Sequence, residues 1–206
     1  MEGVVGKTAH VLFELIEQRL KPGSDLEAID KKIWAMFGET WAVLCSDMSG
    51  FTRRTEEFGI IHFLSLIFEM RRLLSPIVLS YNGLMIKTEA DNLFAIFREP
   101  DQAVLCAMEM HQATARYNES KTTDYKIAVC IGIGYGEILK LGDEDCFGNE
   151  VNRSFKLGED IARANETLLT ANTYEAVKDM EDLSFTSAST SKTDIINNYY
   201  RVEPKR

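Results

Sequence analysis

The stretch "GLMIKTEADNLFAIFRE", residues 83–99, decides the fold. It reads as two strands folded about a tight turn near residues 89–92. Helical patterns flank it on both sides. In "HFLSLIFEMRRLLSPIVLSYN", residues 62–82, Leu66, Met70, Leu73, Leu74 and Ile77 recur at helical spacing and predict a buried stripe. Pro76 should kink this helix or mark its last turn, and Asn82-Gly83 ends it. "PDQAVLCAMEMHQATARYN", residues 100–118, predicts a second amphipathic helix capped at Asp101. Met108, Met110 and His111 within it read as packing residues, because no second histidine stands at i+4 to make a metal pair.

Working outward, "WAVLCSD", residues 41–47, is a short apolar strand of a sheet covered on at least one face. "YKIAVCIGIGYGEILKLG", residues 125–142, predicts a long strand or strand pair in which Gly132, Gly134 and Gly136 permit bends. "GNEVNRSFKLGEDIA", residues 148–162, predicts a third helix. "ETLLT" at 166–170 is a short strand, Asn172 with Glu175 forms a capping pair for the helix that follows, and "LSFTSAS" and "NYYRVE" are the final strands. Hairpins set between helices argue for an α+β fold, an antiparallel or mixed sheet with helices on one face. Before it, "TAHVLFELIEQRL" and "DLEAIDKKIWAMFG" are two short amphipathic helices parted by Pro22-Gly23-Ser24, the second capped at Ser24 or Asp25. The chain therefore divides into an N-terminal helical extension, 1–38, which packs on the domain or serves as a dimer or regulatory element, and a main domain, 39–206.

The 206 residues carry 45% hydrophobic side chains, enough for a sizeable core. A net charge of −9 argues against duplex nucleic acid or an anionic membrane as partner. Cys45, Cys106, Cys130 and Cys146 form no C-x-x-C, which fits a reducing cytosol better than a disulfide framework. No signal sequence and no apolar run of membrane-spanning length is expected.

Two acids carry chemistry. Asp47 ends a buried strand and precedes a glycine-bearing turn, where the backbone N–H groups of Gly50, Phe51 and Thr52 can face an anion. It reads equally as a cap for the next helix. Asp91, taken alone, is a turn residue. Together the strand, helix and hairpin return the chain so that both carboxylates converge at one sheet end. Like charges there repel unless cations join them, and magnesium takes one or two carboxylates plus phosphate oxygens.

"DMSGFT" (47–52), "KTEADNLFAIF" (87–97) and "DCFGNEVNRSFKLGEDIA" (145–162) together resemble the catalytic domain of class III nucleotidyl cyclases, a ferredoxin-like-derived antiparallel or mixed sheet with packed helices. The resemblance runs from about Trp41 to Val202. It implies that Asp47 and Asp91, with the Met48 carbonyl, hold two Mg²⁺ or Mn²⁺ ions. Lys87 and Asp145 would read the base: the lysine donates to adenine N1 and the carboxylate accepts from the N6 amino group. Guanine presents the opposite groups, so the implied reaction is ATP to 3′,5′-cyclic AMP and pyrophosphate. Asn152 would orient the ribose. Lys156 stands where the family has an arginine facing the α-phosphate; it keeps the charge but loses the planar fork. Arg153 points about 100° away on a helix and is no substitute. Ala90 replaces a common glycine, and Lys192 is the nearest candidate for a terminal-phosphate lysine. The resemblance also implies a cytoplasmic, symmetric homodimer with head-to-tail contacts, its two active sites at the subunit interface. Alternatives within it are a cyclase using GTP or a pyrimidine triphosphate, or a slow or non-catalytic nucleotide sensor.

Overall fold

The structure, a computed structural model, describes residues 8–190 and 195–205, and of residues 51–54 the backbone alone. It opens with α1 (Ala9–Arg19) and α2 (Leu26–Phe37). Asp25 caps α2, its carboxylate accepting from the Ala28 N–H at 3.0 Å, whereas Ser24 donates back to the Gln18 carbonyl. α2 passes directly into β1 (Gly38–Met48). Glycine is required at the joint, since a Cβ on Gly38 would fall 2.5 Å from the Trp34 carbonyl oxygen. The apolar faces of α1 and α2, with Leu12, Leu15, Ile33 and Phe37, close over Leu139 and Leu141.

After β1 come α3 (Phe51–Phe58), α4 (Ile60–Ser80), β2 (Leu84–Glu89), β3 (Asn92–Phe97), α5 (Pro100–Asn118), β4 (Val129–Leu141) and β5 (Asp145–Phe147). Next is α6 (Asn149–Lys156), extended by a π-turn at Leu157–Ile161. The chain ends with β6 (Thr167–Leu169), α7 (Ala171–Val177), β7 (Leu183–Ser189) and β8 (Asn198–Pro204). One eight-stranded sheet runs β2-β3-β1-β4-β6-β8-β7, with β5 folded back on β4. The β4–β6 pair is parallel and the others are antiparallel, so the expected mixed α+β sheet is present.

β1 lies at the centre, and Trp41 to Ser46 are all buried. Its continuous apolar run reflects cover on both faces, not one. On one face Ala42, Leu44 and Met48 meet Phe63, Leu66, Met70 and Leu74 of α4 and the buried side of α5. On the other, Trp41 and Val43 pack with Phe94, Ile96, Ile138 and Val151 of α6. The expectation of helices on a single face is thus corrected. Gly132, Gly134 and Gly136 make this possible. A Cβ on Gly132 would stand 2.0 Å from the Ser154 carbonyl, and one on Gly134 2.5 Å from that of Glu150. These glycines let α6 lie against β4.

Pro76 lies inside α4, one turn before its end, where it forfeits the hydrogen bond to the Arg72 carbonyl. Two predicted caps are corrected. α5 is entered at Glu99 with Pro100 at its first position, which leaves Asp101 inside the first turn. Thr170, not Asn172, caps α7, accepting from the Thr173 N–H at 3.4 Å. All four cysteines are free and buried, and burial pushes the Cys106 and Cys146 thiols up to about 12. His111 is a packing residue: it meets Thr167 at 2.8 Å, and burial lowers its pKa to about 4. No described helix is long and apolar enough to cross a membrane.

Candidate active site

Strand pairing sets which way the hairpin residues face. Leu84 pairs with Ile96 and Met85 with Ala95, but Lys87 pairs with Phe94, so Ile86 is an extra residue in β2. Without that bulge Lys87 would oppose Leu93, which belongs to the α4–α5 core. With it, Lys87 turns to the α6 face beside Phe94. There its Nζ donates to Asp145 Oδ2 at 2.5 Å. Asp145 opens β5, which the turn at 142–144 folds back over that same face; its other oxygen accepts from the Cys146 N–H at 2.8 Å. Lys87, Asp145 and Asn152 line one cleft of about 230 Å³, floored by Phe94, Val151 and Phe155. The rings of Phe94 and Phe155 meet edge to face at 5.1 Å.

Asp47 lies on β1 two residues after Cys45, on the same face of the sheet. Asp91 reaches it from the hairpin turn, where Ala90 takes a positive φ of 44°. That left-handed conformation explains why glycine would suit position 90 better. The turn is pinned from α4 by Arg71, which donates to the carbonyls of Thr88 at 3.2 Å and Ala90 at 2.6 Å. The carboxyls of Asp47 and Asp91 are within hydrogen-bonding reach. Burial, joined by the charges of Asp91 and Glu159, raises the pKa of Asp47 to about 7. The Asp91 pKa is also raised, by burial, although a hydrogen bond from Asp47 and the charge of Arg71 oppose this. Two carboxyls crowded in this way favour holding a proton unless a cation joins them.

Glu159 joins this group. Burial and the charges of Asp160 and Asp91 raise its pKa, while a hydrogen bond from Asn92 and the charge of Lys156 lower it. Asn92 Nδ2 donates to Glu159 Oε1 at 2.6 Å. Gly158 brings this segment in: a Cβ there would lie 2.9 Å from the Cys45 carbonyl. Among the described residues no three histidine, cysteine or acidic side chains close into a metal cage. The Asp47–Asp91 pair is instead an open, all-oxygen donor set. Its proton-sharing carboxyls have the charge and hardness that Mg²⁺ or Mn²⁺ prefers, with substrate oxygens to complete the shell.

α6 is held by a carboxylate that the sequence did not single out. Glu150 is buried, and accepts from Arg153 Nη1 at 2.6 Å, Thr170 Oγ1 at 2.7 Å, Asn172 Nδ2 at 3.1 Å and the Tyr135 N–H at 3.2 Å. This fixes α6 to β4 and α7 and leaves Asn152 exposed at the cleft. Arg153, the excluded arginine, is spent on that anchor. Lys156 pairs with Asp160 at 2.5 Å.

The Met48 side chain is core, so only its carbonyl is a possible ligand. Gly50 enters α3 in the left-handed region at φ 88°. The backbone of Phe51 and Thr52 forms the first turn of α3. Lys192 lies outside the described residues. Sequence reading missed Asn92, Glu159, Glu150 and Arg71. Two of these had a signal: Asn92 adjoins Asp91, and Glu159 follows Lys156 by three residues on one helical face.

No family model matches the chain. A serine/threonine-protein kinase, pkn2 of Myxococcus xanthus, is 27% identical over 128 residues, covering 62% of this chain but 15% of that protein. The chain thus spans a small part of that relative. Among solved structures, an adenylate/guanylate cyclase/hydrolase from Silicibacter pomeroyi is 25% identical and covers 82% of this chain and 99% of its own, with TM-score 0.67. The adenylyl cyclase CyaB from P. aeruginosa is 22% identical over 82% of this chain and 96% of its own, TM-score 0.67. A guanylate cyclase domain from Catenaria anguillulae, solved with GTP, is 17% identical over 82% and 98%, TM-score 0.66. Both purine types occur among these neighbours, so likeness of fold does not choose between them.

Proposed function

We propose, for a chain that has the fold of class III nucleotidyl cyclase catalytic domains, that it converts ATP to 3′,5′-cyclic AMP and pyrophosphate. One observation carries the reading: Lys87, Asp145 and Asn152 line a single cleft, in a chain whose Asp47 and Asp91 form an open carboxylate pair. Lys87 offers a donor and Asp145 an acceptor, the complement of adenine N1 and N6. Guanine would set a donor against the lysine and an acceptor against the carboxylate, leaving buried polar groups unpaired. Asn152 would orient the ribose. Lys156 supplies positive charge toward the α-phosphate.

Asp47 and Asp91 would hold the divalent ions, with the Met48 carbonyl. Bound there, the ions would ease loss of the ribose 3′-hydroxyl proton and brace the triphosphate. Gly50, with the first backbone N–H groups of α3, would face the phosphates. The cleft of about 230 Å³ is smaller than the roughly 300–1,000 Å³ of a complete ligand pocket. A symmetric homodimer, in which one protomer's acids meet its partner's base-reading residues, supplies the remainder.

The test is an assay of the purified protein with all four nucleoside triphosphates and Mn²⁺, with cyclic products identified by mass. Cyclic AMP as main product is expected, and Asp47→Ala should abolish it. Preference for another nucleotide would overturn the base assignment; full activity in Asp47→Ala would overturn the metal assignment. The Lys156–Asp160 pair favours a second reading, a slow or non-catalytic nucleotide sensor, because it engages the cation meant for phosphate. Tight ATP binding without product would select that reading.

A further inference from the structure

The Asn92–Glu159 contact joins two parts of the chain with separate duties. Asn92 directly follows Asp91 at the metal-holding turn, and Glu159 lies three residues beyond Lys156 on the continuation of α6. We propose that this hydrogen bond is a positioning link between the two clefts of the dimer. It ties the hairpin that holds metal for one cleft to the helix end that presents Asn152 and Lys156 to the other. The proposal rests on the cyclase reading above, in which those duties fall in different active sites.

Three features argue for a link and against an incidental surface contact. The hairpin turn has two handles from opposite sides: Arg71 of α4 holds its carbonyls, and Glu159 holds Asn92. The Glu159 segment has little freedom to drift, because Gly158 sits against the β1 backbone at Cys45. Glu159 also feels Asp47 and Asp91 as like charges. Cations between those acids would remove the repulsion and let the Asn92–Glu159 bond tighten. The helix end would then be held more firmly when the hairpin carries metal. Neither Asn92 nor Glu159 needs to touch substrate; both act by positioning others.

Hydrogen exchange of the full chain, with and without Mn²⁺ and without nucleotide, tests this. Mn²⁺ should slow exchange across residues 149–161 in the unaltered protein. Asn92→Ala and Glu159→Ala should lose that slowing while still binding Mn²⁺ by electron paramagnetic resonance. Glu159→Gln, which keeps an acceptor for Asn92 but no charge for the metal to relieve, should show the slowed exchange both with and without Mn²⁺. Should either alanine variant bind Mn²⁺ and show the slowing undiminished, the link is wrong and the metal site stands. An unaltered protein that binds no Mn²⁺ would sink the metal reading, and the link with it.

Discussion

Lys87 and Asp145, on strands β2 and β5, meet across 2.5 Å. Each is about one-third exposed, so the ion pair contributes little to stability. Its consequence is preorganisation: donor and acceptor stand side by side, as an adenine edge requires. Lys87→Ala should lower kcat/KM for ATP by about 10–100-fold, the worth of one or two buried hydrogen bonds, and leave Mn²⁺ affinity unchanged. The combined change Lys87→Glu and Asp145→Ser reverses both polarities and should shift preference toward GTP. Steady-state kinetics with both nucleotides checks this; an ATP preference that survives both changes would refute the assignment.

The acid pair predicts a particular pH dependence. The Asp47 pKa lies at about 7 in the folded, metal-free protein, above its unfolded value near 3.9. The folded state therefore binds the extra proton between these values, and metal-free stability falls as pH rises from about 4 through 7. Metal competes with that proton, so Mn²⁺ affinity should rise over the upper part of the same interval. Thermal melts at pH 5.5 and pH 8, with and without Mn²⁺, should show the larger metal-induced increase at pH 8. Asp47→Asn should raise the metal-free Tm at pH 8, by on the order of 2–4 °C for each kcal/mol of repulsion relieved, and remove the metal response.

Lys156 is a point charge engaged by Asp160. Lys156→Arg restores a planar fork that can bind two phosphate oxygens, and should raise kcat by up to about tenfold. Asp160→Asn should also raise kcat, by freeing the lysine. Single-turnover measurements separate this from product release. A collapse of activity in Lys156→Arg would show that Lys156 does not face the phosphate.

Glu150 is a structural anchor and predicts a stability effect. Glu150→Ala leaves Thr170, Asn172 and Arg153 without their acceptor and should cost about 3 kcal/mol in chemical denaturation. Thr170→Val removes one donor of four together with the α7 cap and should cost about 2 kcal/mol. Equal, negligible losses in both would mean that α6 is held by its apolar face alone.

Gly132→Ala probes the close approach of α6 to β4. The added methyl would press on the Ser154 carbonyl, a backbone atom that can yield only if the helix moves. A loss of at least about 2 kcal/mol is expected, with weaker nucleotide binding, because Asn152 moves with the helix.

The amino-acid order by itself determined the hairpin between helices, the stripe of α4, the central apolar strand, and the places of Asp47 at a strand end and Asp91 at a turn. These are local matters: periodicity of two or 3.6, turn chemistry, and acids placed at strand ends. Only the tertiary structure decided which face Lys87 occupies, because a bulge at Ile86 leaves no mark in the alternation and exists only in the pairing with β3. The same holds for Gly132, Gly134 and Gly158, whose use is a missing Cβ beneath a helix or against a strand, and for Glu159, carried to Asn92 by the π-turn. Contacts between segments distant in sequence depend on register and helix placement, which packing of the whole domain sets and no single stretch encodes.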